Sequence, residues 1–556
     1  MAHVRSTDGT SRPLEVGRSL FDTADDLKLQ VPTSCLRNGY CHECVVEIRA
    51  GMDSLGPRTE AEAFLRDPYR LACQARVVQT DEEIIFEPLR RSPKILSEGR
   101  RRAVRLDPVV TRRGDDILYD GEVIDRFRGH VLGLAIDLGT TTIAMDLLDL
   151  ETGESLSVTG FENPQRFGGS DVMNRISYDG GANHGELQKS LVTALNRHIA
   201  DLGERFGFAR QEIYEITVAG NSTMRDLLFR LDVQPIGTRP YKSTIEQAFL
   251  DGDRTSTAYT DKSRRLGIRC NIQTRVYGLP LIASHVGADT AADLVACDMM
   301  SADSDDVVML VDVGTNTEVV IAGRGRMLTA SSPAGPAFEG GLVRYGIPGY
   351  EGAIESVHIE ADGTFRCAVI GDVAPVGICG SGLVDLLAEL RRTGVMSERG
   401  AMQTGAEGAV RNAHITVVPD PTDPDKGITF SAEDASHLAQ AKAANYCGQY
   451  LLLKEFGIDP ADVSKLYLAG GFANYINVAN AIAVGFLAPV PAERIVKVGN
   501  AAMQGAREIL LDRQRRAELE ILCQHVTHVE LETKPDFFDA FVDGCMFDPM
   551  PTRILG

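Results

Sequence analysis

One short phrase occurs twice in this chain, and it limits the fold more than any other feature. Leu134-Ala-Ile-Asp-Leu-Gly-Thr-Thr-Thr-Ile-Ala is echoed by Leu310-Val-Asp-Val-Gly-Thr-Asn-Thr-Glu-Val-Val. Each copy is an apolar run that ends in an aspartate, turns through glycine and hydroxyl residues, and resumes as a second strand-like run. That is the pattern of a buried β-hairpin with a polar tip. Two copies imply a duplicated fold, and two are too few for a solenoid. Around them buried strands alternate with helical stretches such as Glu186–Phe206, Ala435–Glu455 and Asn500–Gln514, which is α/β grammar. Residues 131–556 are therefore expected to form a two-lobed α/β domain with a duplicated core.

The hairpin tips suit phosphate. No G-x-x-x-x-G-K-S/T occurs, so a Walker-type loop is excluded as the cradle. Past Gly139 and Gly314, the amides and hydroxyls of Thr140, Thr141 and Thr142, and of Thr315, Asn316 and Thr317, can hold phosphate oxygens. Asp137 and Asp312 would face each other across a cleft, placed to hold Mg²⁺ through water and to orient an attacking water. A third element, Leu466-Tyr-Leu-Ala-Gly-Gly-Phe-Ala-Asn, is a strand running into a turn at Gly470 and Gly471. Backbone there can approach an adenosine closely. Either hairpin alone reads equally well as an ordinary turn; both, with the glycine turn after them, point to nucleotide.

Four of the 11 cysteines are bunched at one end. Cys35, Cys41 and Cys44 lie in Ser34-Cys-Leu-Arg-Asn-Gly-Tyr-Cys-His-Glu-Cys-Val, and Cys73 follows in Arg70-Leu-Ala-Cys-Gln. C-x5-C-x2-C with a remote fourth thiol is one residue longer in its first gap than the plant-type 2Fe–2S spacing. A structural zinc site usually pairs two close doublets, and here only Cys41 and Cys44 form one. Gly39 lets the loop turn its amides toward the sulfurs. Around the loop, Asp8-Gly9-Thr10 reads as a hairpin turn and Ser19–Leu29 as a helix with Leu20, Ala24 and Leu27 on one side. Val45–Ile48 and Glu83–Pro88 read as strands. Residues 1–90 are thus expected to form an α+β, β-grasp ferredoxin-like domain with one cluster. The other seven cysteines lack ligand spacing and read as small buried hydrophobes.

From Arg90 to Arg113 there are nine Lys/Arg against two Asp/Glu, with two prolines. Residues 91–130 read first as a basic linker, and alternatively as a surface for an acidic partner through Arg101, Arg102 and Arg105. The formal charge of −21 argues against nucleic acid or an anionic membrane as partner. No apolar run nears the roughly 18 residues of a spanning helix, and the start lacks the apolar core of a signal peptide. Cysteines this sparse do not make a secreted disulfide scaffold. A cytoplasmic protein is expected.

In chain order, the two hairpins and the glycine turn resemble the phosphate-1, phosphate-2 and adenosine motifs of the actin, Hsp70 and sugar-kinase superfamily. With the cysteine loop in front, nearly the whole chain resembles the reductive activators of corrinoid proteins, which are ATP-dependent iron–sulfur enzymes. Asn163-Pro-Gln-Arg-Phe-Gly-Gly-Ser-Asp-Val, Ala219-Gly-Asn-Ser-Thr-Met, Ser331-Ser-Pro-Ala-Gly-Pro-Ala-Phe-Glu-Gly-Gly and Gly377-Ile-Cys-Gly-Ser-Gly-Leu-Val-Asp belong to the same pattern. The resemblance implies one 2Fe–2S cluster, ATP with Mg²⁺, and a corrinoid protein or cobalamin-dependent methyltransferase as partner. An upstream electron donor is implied too, and a homodimer stays open. One electron would pass to Co(II) and restore Co(I). A ferredoxin near about −400 mV sits above the cobalt couple taken for this family. Each 100 mV uphill costs about 2.3 kcal/mol, within reach of nucleotide binding and hydrolysis.

The same resemblance places Gly220, Asn221, Ser222 and Thr223 on the nucleotide cleft, although a capped strand-to-helix turn accounts for them equally well. Gly380-Ser381-Gly382 would receive an anion or, the favoured reading, mark tight packing. Glu339 reads equally as a catalytic or contact carboxylate or as a surface residue. Two departures stand out. The stretch between Arg90 and Gly133 is too short for the extra middle domain of some members, and the C-terminal tail lacks the cysteine motifs of members with two 4Fe–4S clusters. A small-molecule kinase with a redox-sensing domain and a nucleotide-gated ferredoxin-type carrier fit the same parts. The fused ferredoxin favours electron delivery over the kinase.

Overall fold

The structure is a computed structural model that describes residues 3–6, 10–27, 29, 31, 37–39, 44–63, 65, 67–79, 81–88, 102, 104–169, 171–340, 342–403, 410–411, 414–419, 427–471 and 473–555. Asp8, Gly9, Cys35, Cys41, Arg101 and Phe472 lie outside these residues.

At the N-terminal end five strands form one mixed sheet in the order Ser11–Pro13, His3–Ser6, Ile84–Pro88, Val45–Ala50, Tyr69–Leu71. His3–Ser6 runs parallel to Ile84–Pro88, while the other neighbours are antiparallel. The helix Leu20–Asp26 begins where the Ser19 hydroxyl accepts the Asp22 N–H at 3.1 Å, and it buries Leu20, Phe21 and Ala24. One helix on a mixed sheet of this order is the expected β-grasp arrangement.

The rest is built on two six-stranded sheets with one plan. The first runs Ser155–Glu162, Thr142–Asp149, Leu132–Leu138, Ile213–Ala219, Arg275–Gly278, Tyr259–Lys262. The second runs Arg326–Ser332, Thr317–Gly323, Val307–Val313, Val463–Ala469, Ile495–Gly499, with Thr527–His528 added beyond Arg326–Ser332. In each, an antiparallel three-strand meander is followed by parallel strands. The central strands are apolar on both faces because helices cover both faces. A long helix lies in corresponding places of the two halves: Glu186–Phe206, which ends at Gly207 (φ +73°), and Ala432–Phe456, which ends at Gly457 (φ +75°).

The two halves meet through the helices Ala288–Ala296 and Ala501–Leu511. A Cβ on Gly505 would lie 2.0 Å from the Ala292 carbonyl oxygen, so only glycine allows the crossing. Ala501–Leu511 follows the last parallel strand of the second sheet, yet it packs on the first; the Thr217 hydroxyl donates to Ala506 O at 2.9 Å.

The stretch read as a basic linker contains a folded piece. Val110–Arg113, Asp116–Tyr119 and Glu122–Arg126 form an antiparallel three-stranded sheet. Val110, Ile117 and Tyr119 share a core with Ala135 and Leu510. Arg102 pairs with Glu508 at 2.8 Å and Asp298 at 3.4 Å, and Arg105 with Asp107 and Gln514. An excess of basic charge hid a short apolar alternation, and the acidic partner of Arg102 is this chain itself. Among the described residues no helix is long and apolar enough to cross a membrane.

Candidate nucleotide cleft and cluster site

The duplicated phrases are the first hairpins of the two sheets, with Asp137 opposite Ala144 and Asp312 opposite Glu318. Their tips face each other. The hydroxyls of Thr141 and Thr315 are 3.3 Å apart, and both donate to Glu339 Oε2, at 2.8 and 2.5 Å. Glu339 is therefore a contact carboxylate in the cleft. Gly139 is required by its own turn, since a Cβ there would lie 2.4 Å from Thr142 O.

One cavity between the lobes is lined by Asp137, Gly139, Thr140, Thr141, Thr142, Asn221, Asp312, Gly314, Thr315, Asn316, Gly470 and Gly471. Thr317 is the exception among the expected residues: it is fully buried and does not line the cavity. Gly470 takes φ +113°, and a Cβ on it would meet Val313 O at 2.2 Å, whereas Gly471 opens onto free space. Asn221 serves both suggested roles at once. Its Oδ1 caps the helix Ser222–Leu228 by accepting the Met224 N–H, and its Nδ2 donates to Thr140 Oγ1 at 3.0 Å. Gly380-Ser381-Gly382 is a packing feature, because a Cβ on Gly382 would lie 2.3 Å from Ile354 O.

The cleft is crowded with carboxylates. Burial pushes Asp137 up to about 7, against an Asn500 Nδ2 that donates to it at 2.7 Å. Burial also raises Asp312, Asp289 and Glu318, and Asp293 behind the cavity wall, and for all four a neighbouring acid adds to the rise. Sequence reasoning missed Asp289, Asp293, Glu318 and Asn500. The signal for the first two was present: on the helix Ala288–Ala296 they are spaced i, i+4, hence on one face. Among the described residues no three His, Cys, Asp or Glu side chains group closely enough to hold a metal unaided. A second cavity, of about 330 Å³, shares Asn221 and Asn316 with the first and is walled by His285, His528, Phe537 and Phe541.

In the N-terminal sheet, Cys44 leads into Val45–Ala50 and Cys73 follows Tyr69–Leu71. Val45 and Leu71 are opposite one another, so strand pairing brings the two cysteines together. Both thiols are buried, 3.3 Å apart, and not joined as a disulfide. Two buried thiols this close suit thiolate ligation. Gln74 Nε2 faces Cys73 Sγ at 3.4 Å. Cys297, Cys379, Cys447 and Cys523 are buried and free, and Cys270, Cys367 and Cys545 are half-buried and free.

Comparison with known proteins follows this division. A 2Fe-2S iron-sulfur cluster binding domain matches residues 6–78, the RACo middle region matches 132–302, and the C-terminal domain of RACo, the ASKHA domain, matches 306–553. The corrinoid activation enzyme RamQ of Eubacterium limosum is 30% identical over 435 residues, covering 75% of this chain and 70% of that protein. The chain belongs to the RACo family. The Co(II) methylated amine-specific corrinoid protein reductase of Methanosarcina barkeri is 23% identical over 431 residues, covering 73% of this chain and 75% of that one. A solved structure of a reductive activator for corrinoid, iron-sulfur protein superposes with a TM-score of 0.72 at 26% identity, covering 99% of each chain. The RACo middle region falls on the first lobe, and its boundary with the C-terminal domain falls just before the strand Val307–Val313 that opens the second.

Proposed function

We propose that this RACo-family chain is an ATP-dependent reductive activator that restores Co(I) in a corrinoid protein or cobalamin-dependent methyltransferase. One observation carries it: a β-grasp sheet that brings two cluster-spaced thiols to 3.3 Å shares a chain with a cleft faced by two phosphate-type hairpins. Cys35, Cys41, Cys44 and Cys73 hold the 2Fe–2S cluster, which when bound supplies the single electron that turns Co(II) into Co(I). Gly139 to Thr142 and Gly314 to Asn316 hold the phosphates, with Asn221 beside them and Gly470 and Gly471 along the adenosine. Asp137 and Asp312 hold Mg²⁺ through water and orient the water that cleaves ATP to ADP and phosphate. Thr317 keeps its hairpin packed and is not assigned a contact. The protein works in the cytoplasm, fed by an upstream electron donor.

ATP is needed on energetic grounds. A donor near about −400 mV leaves most cobalt as Co(II) when the acceptor couple is more negative, unless another source of free energy biases the outcome. The test follows the corrinoid spectrum of a candidate partner under a chemical reductant, with and without Mg²⁺ and ATP, with methyl donor omitted because methylation traps Co(I). ATP should raise the Co(I) yield, and Asp312→Asn should cut ATP turnover at least about tenfold and remove that gain. Identical yields with and without ATP would refute the activator and leave a nucleotide-gated electron carrier.

A further inference from the structure

The segment 163–169 lies between the first phosphate hairpin and the ferredoxin sheet, and none of the chemistry above uses it. It continues from the edge strand Ser155–Glu162 and makes one 3-10 turn, Pro164–Gly168. Asn163 is fully buried; its backbone N–H donates to Thr141 O and its Nδ2 to Gly139 O, both at 2.8 Å. Arg175, also fully buried, donates from Nη2 to Thr140 O at 2.7 Å and from Nε to Gly169 O at 3.0 Å. Three consecutive carbonyls of the first hairpin tip are thus held from behind, while the same three residues line the cleft.

At its other end the segment reaches the ferredoxin sheet. The Arg166 guanidinium lies 3.3 Å from Glu162 and 3.6 Å from Glu47, which is buried on the strand Val45–Ala50. Glu47 Oε1 pairs with Arg49 at 3.0 Å, but its buried Oε2 accepts no hydrogen bond among the described residues, so the charge of Arg166 is what faces it. The second lobe enters at the same point: the Tyr350 hydroxyl donates to Glu162 Oε1 at 2.6 Å. Arg49 serves Oε1 alone, so loss of Arg166 would leave the buried Oε2 of Glu47 facing no cation. Glu47 is three residues from Cys44 and opposite Tyr69, which is four residues from Cys73.

We infer that Arg166 is a positioning residue that couples the first phosphate hairpin to the cluster-bearing sheet. Occupancy of the cleft shifts Asn163, and the bridge from Glu162 through Arg166 to Glu47 carries the shift to the strand Val45–Ala50, which Cys44 precedes. The inference rests on the nucleotide reading of the cleft, but it needs neither a corrinoid partner nor catalytic turnover.

The test uses the full, cluster-loaded chain. Amide hydrogen exchange across residues 45–50 is measured with and without Mg²⁺ and a non-hydrolysable ATP analogue, and analogue binding is measured calorimetrically on the same samples. In the wild type the analogue should change exchange there by at least about threefold. Arg166→Met should abolish the change while partner-free ATP hydrolysis stays within about twofold; Arg166→Lys should keep part of it. Glu47→Gln removes the negative charge from the ferredoxin side and should abolish it too, which guards against misfolding of the first variant. An analogue that binds the wild type without altering 45–50 would overturn the relay, as would an Arg166→Met protein that keeps the full change. Failure of the analogue to bind at all would remove the relay together with the nucleotide site.

Discussion

Asp137 is held in the folded chain as no free aspartate would be. Its carboxyl is pushed up to about 7 by burial, with Asp289 and Asp312 as negative neighbours and Asn500 as its hydrogen-bond donor. Unfolded, it would titrate near 3.8. Stability from this group is complete below that value and is lost as pH rises through the window to about 7, where the unfolded chain gives up a proton the folded chain keeps. Asp137→Asn should therefore raise the unfolding midpoint of the nucleotide-free protein at pH 8, leave it nearly unchanged at pH 4, and impair ATP turnover. Midpoints of parent and variant at the two pH values decide it, and an equal shift at both would show that the charge is not the cause. Asp137 and Asp312 were legible in the sequence because each ends an apolar strand run. Asp289 and Asp293 carry an i, i+4 signal, but a pair of acids on an alanine-rich helix looks like a solvated face until the other lobe is packed against it.

Elements were more legible than their partners. Helical periodicity marks the apolar face of Ala501–Leu511 but not which sheet that face serves, and the helix crosses to the first lobe. Gly505 makes the crossing close. Gly505→Ala would place a methyl 2.0 Å from Ala292 O, and overpacking of this kind costs about 1–3 kcal/mol. The unfolding midpoint should fall and nucleotide should bind less tightly, because the two cleft walls are set by this contact; an unchanged midpoint would mean that the helices part freely. The 110–126 sheet escaped notice because a basic excess counted over Arg90–Arg113 was extended as a linker through residue 130, across Ile117-Leu118-Tyr119. Arg102→Glu should lower the midpoint, since it sets like charge against a Glu508 side chain that is 1% exposed. Unaltered stability, with partner association that turns salt-dependent, would restore the reading of that stretch as a docking surface.

At the scale of the whole molecule, the duplication was readable because both hairpins keep the same residues at the same spacing, whereas the union of the two machines was not. The ferredoxin core, with Val46, Leu71 and Phe86, runs into the core of the first lobe, with Leu134, Phe161 and Phe167. Contact of that kind depends on faces from distant parts of the chain and leaves no local pattern. It also makes a prediction about where coupling takes place. Cys73→Ser should lose its full complement of about two irons and two sulfides yet hydrolyse ATP, because the cleft is built from other elements. Asp312→Asn should keep the cluster and lose the response to ATP. If nucleotide acts on the cluster through Arg166 and Glu47 of the same chain, each variant lacks something that the other cannot supply. An equal mixture, unfolded and refolded together or co-expressed so that any homodimer can exchange subunits, should give no more ATP-dependent Co(I) than the two variants assayed apart. Recovery of a substantial part of the wild-type yield would show that the nucleotide cleft of one chain drives the cluster of another, and would move the coupling from the interior of the chain to a subunit interface.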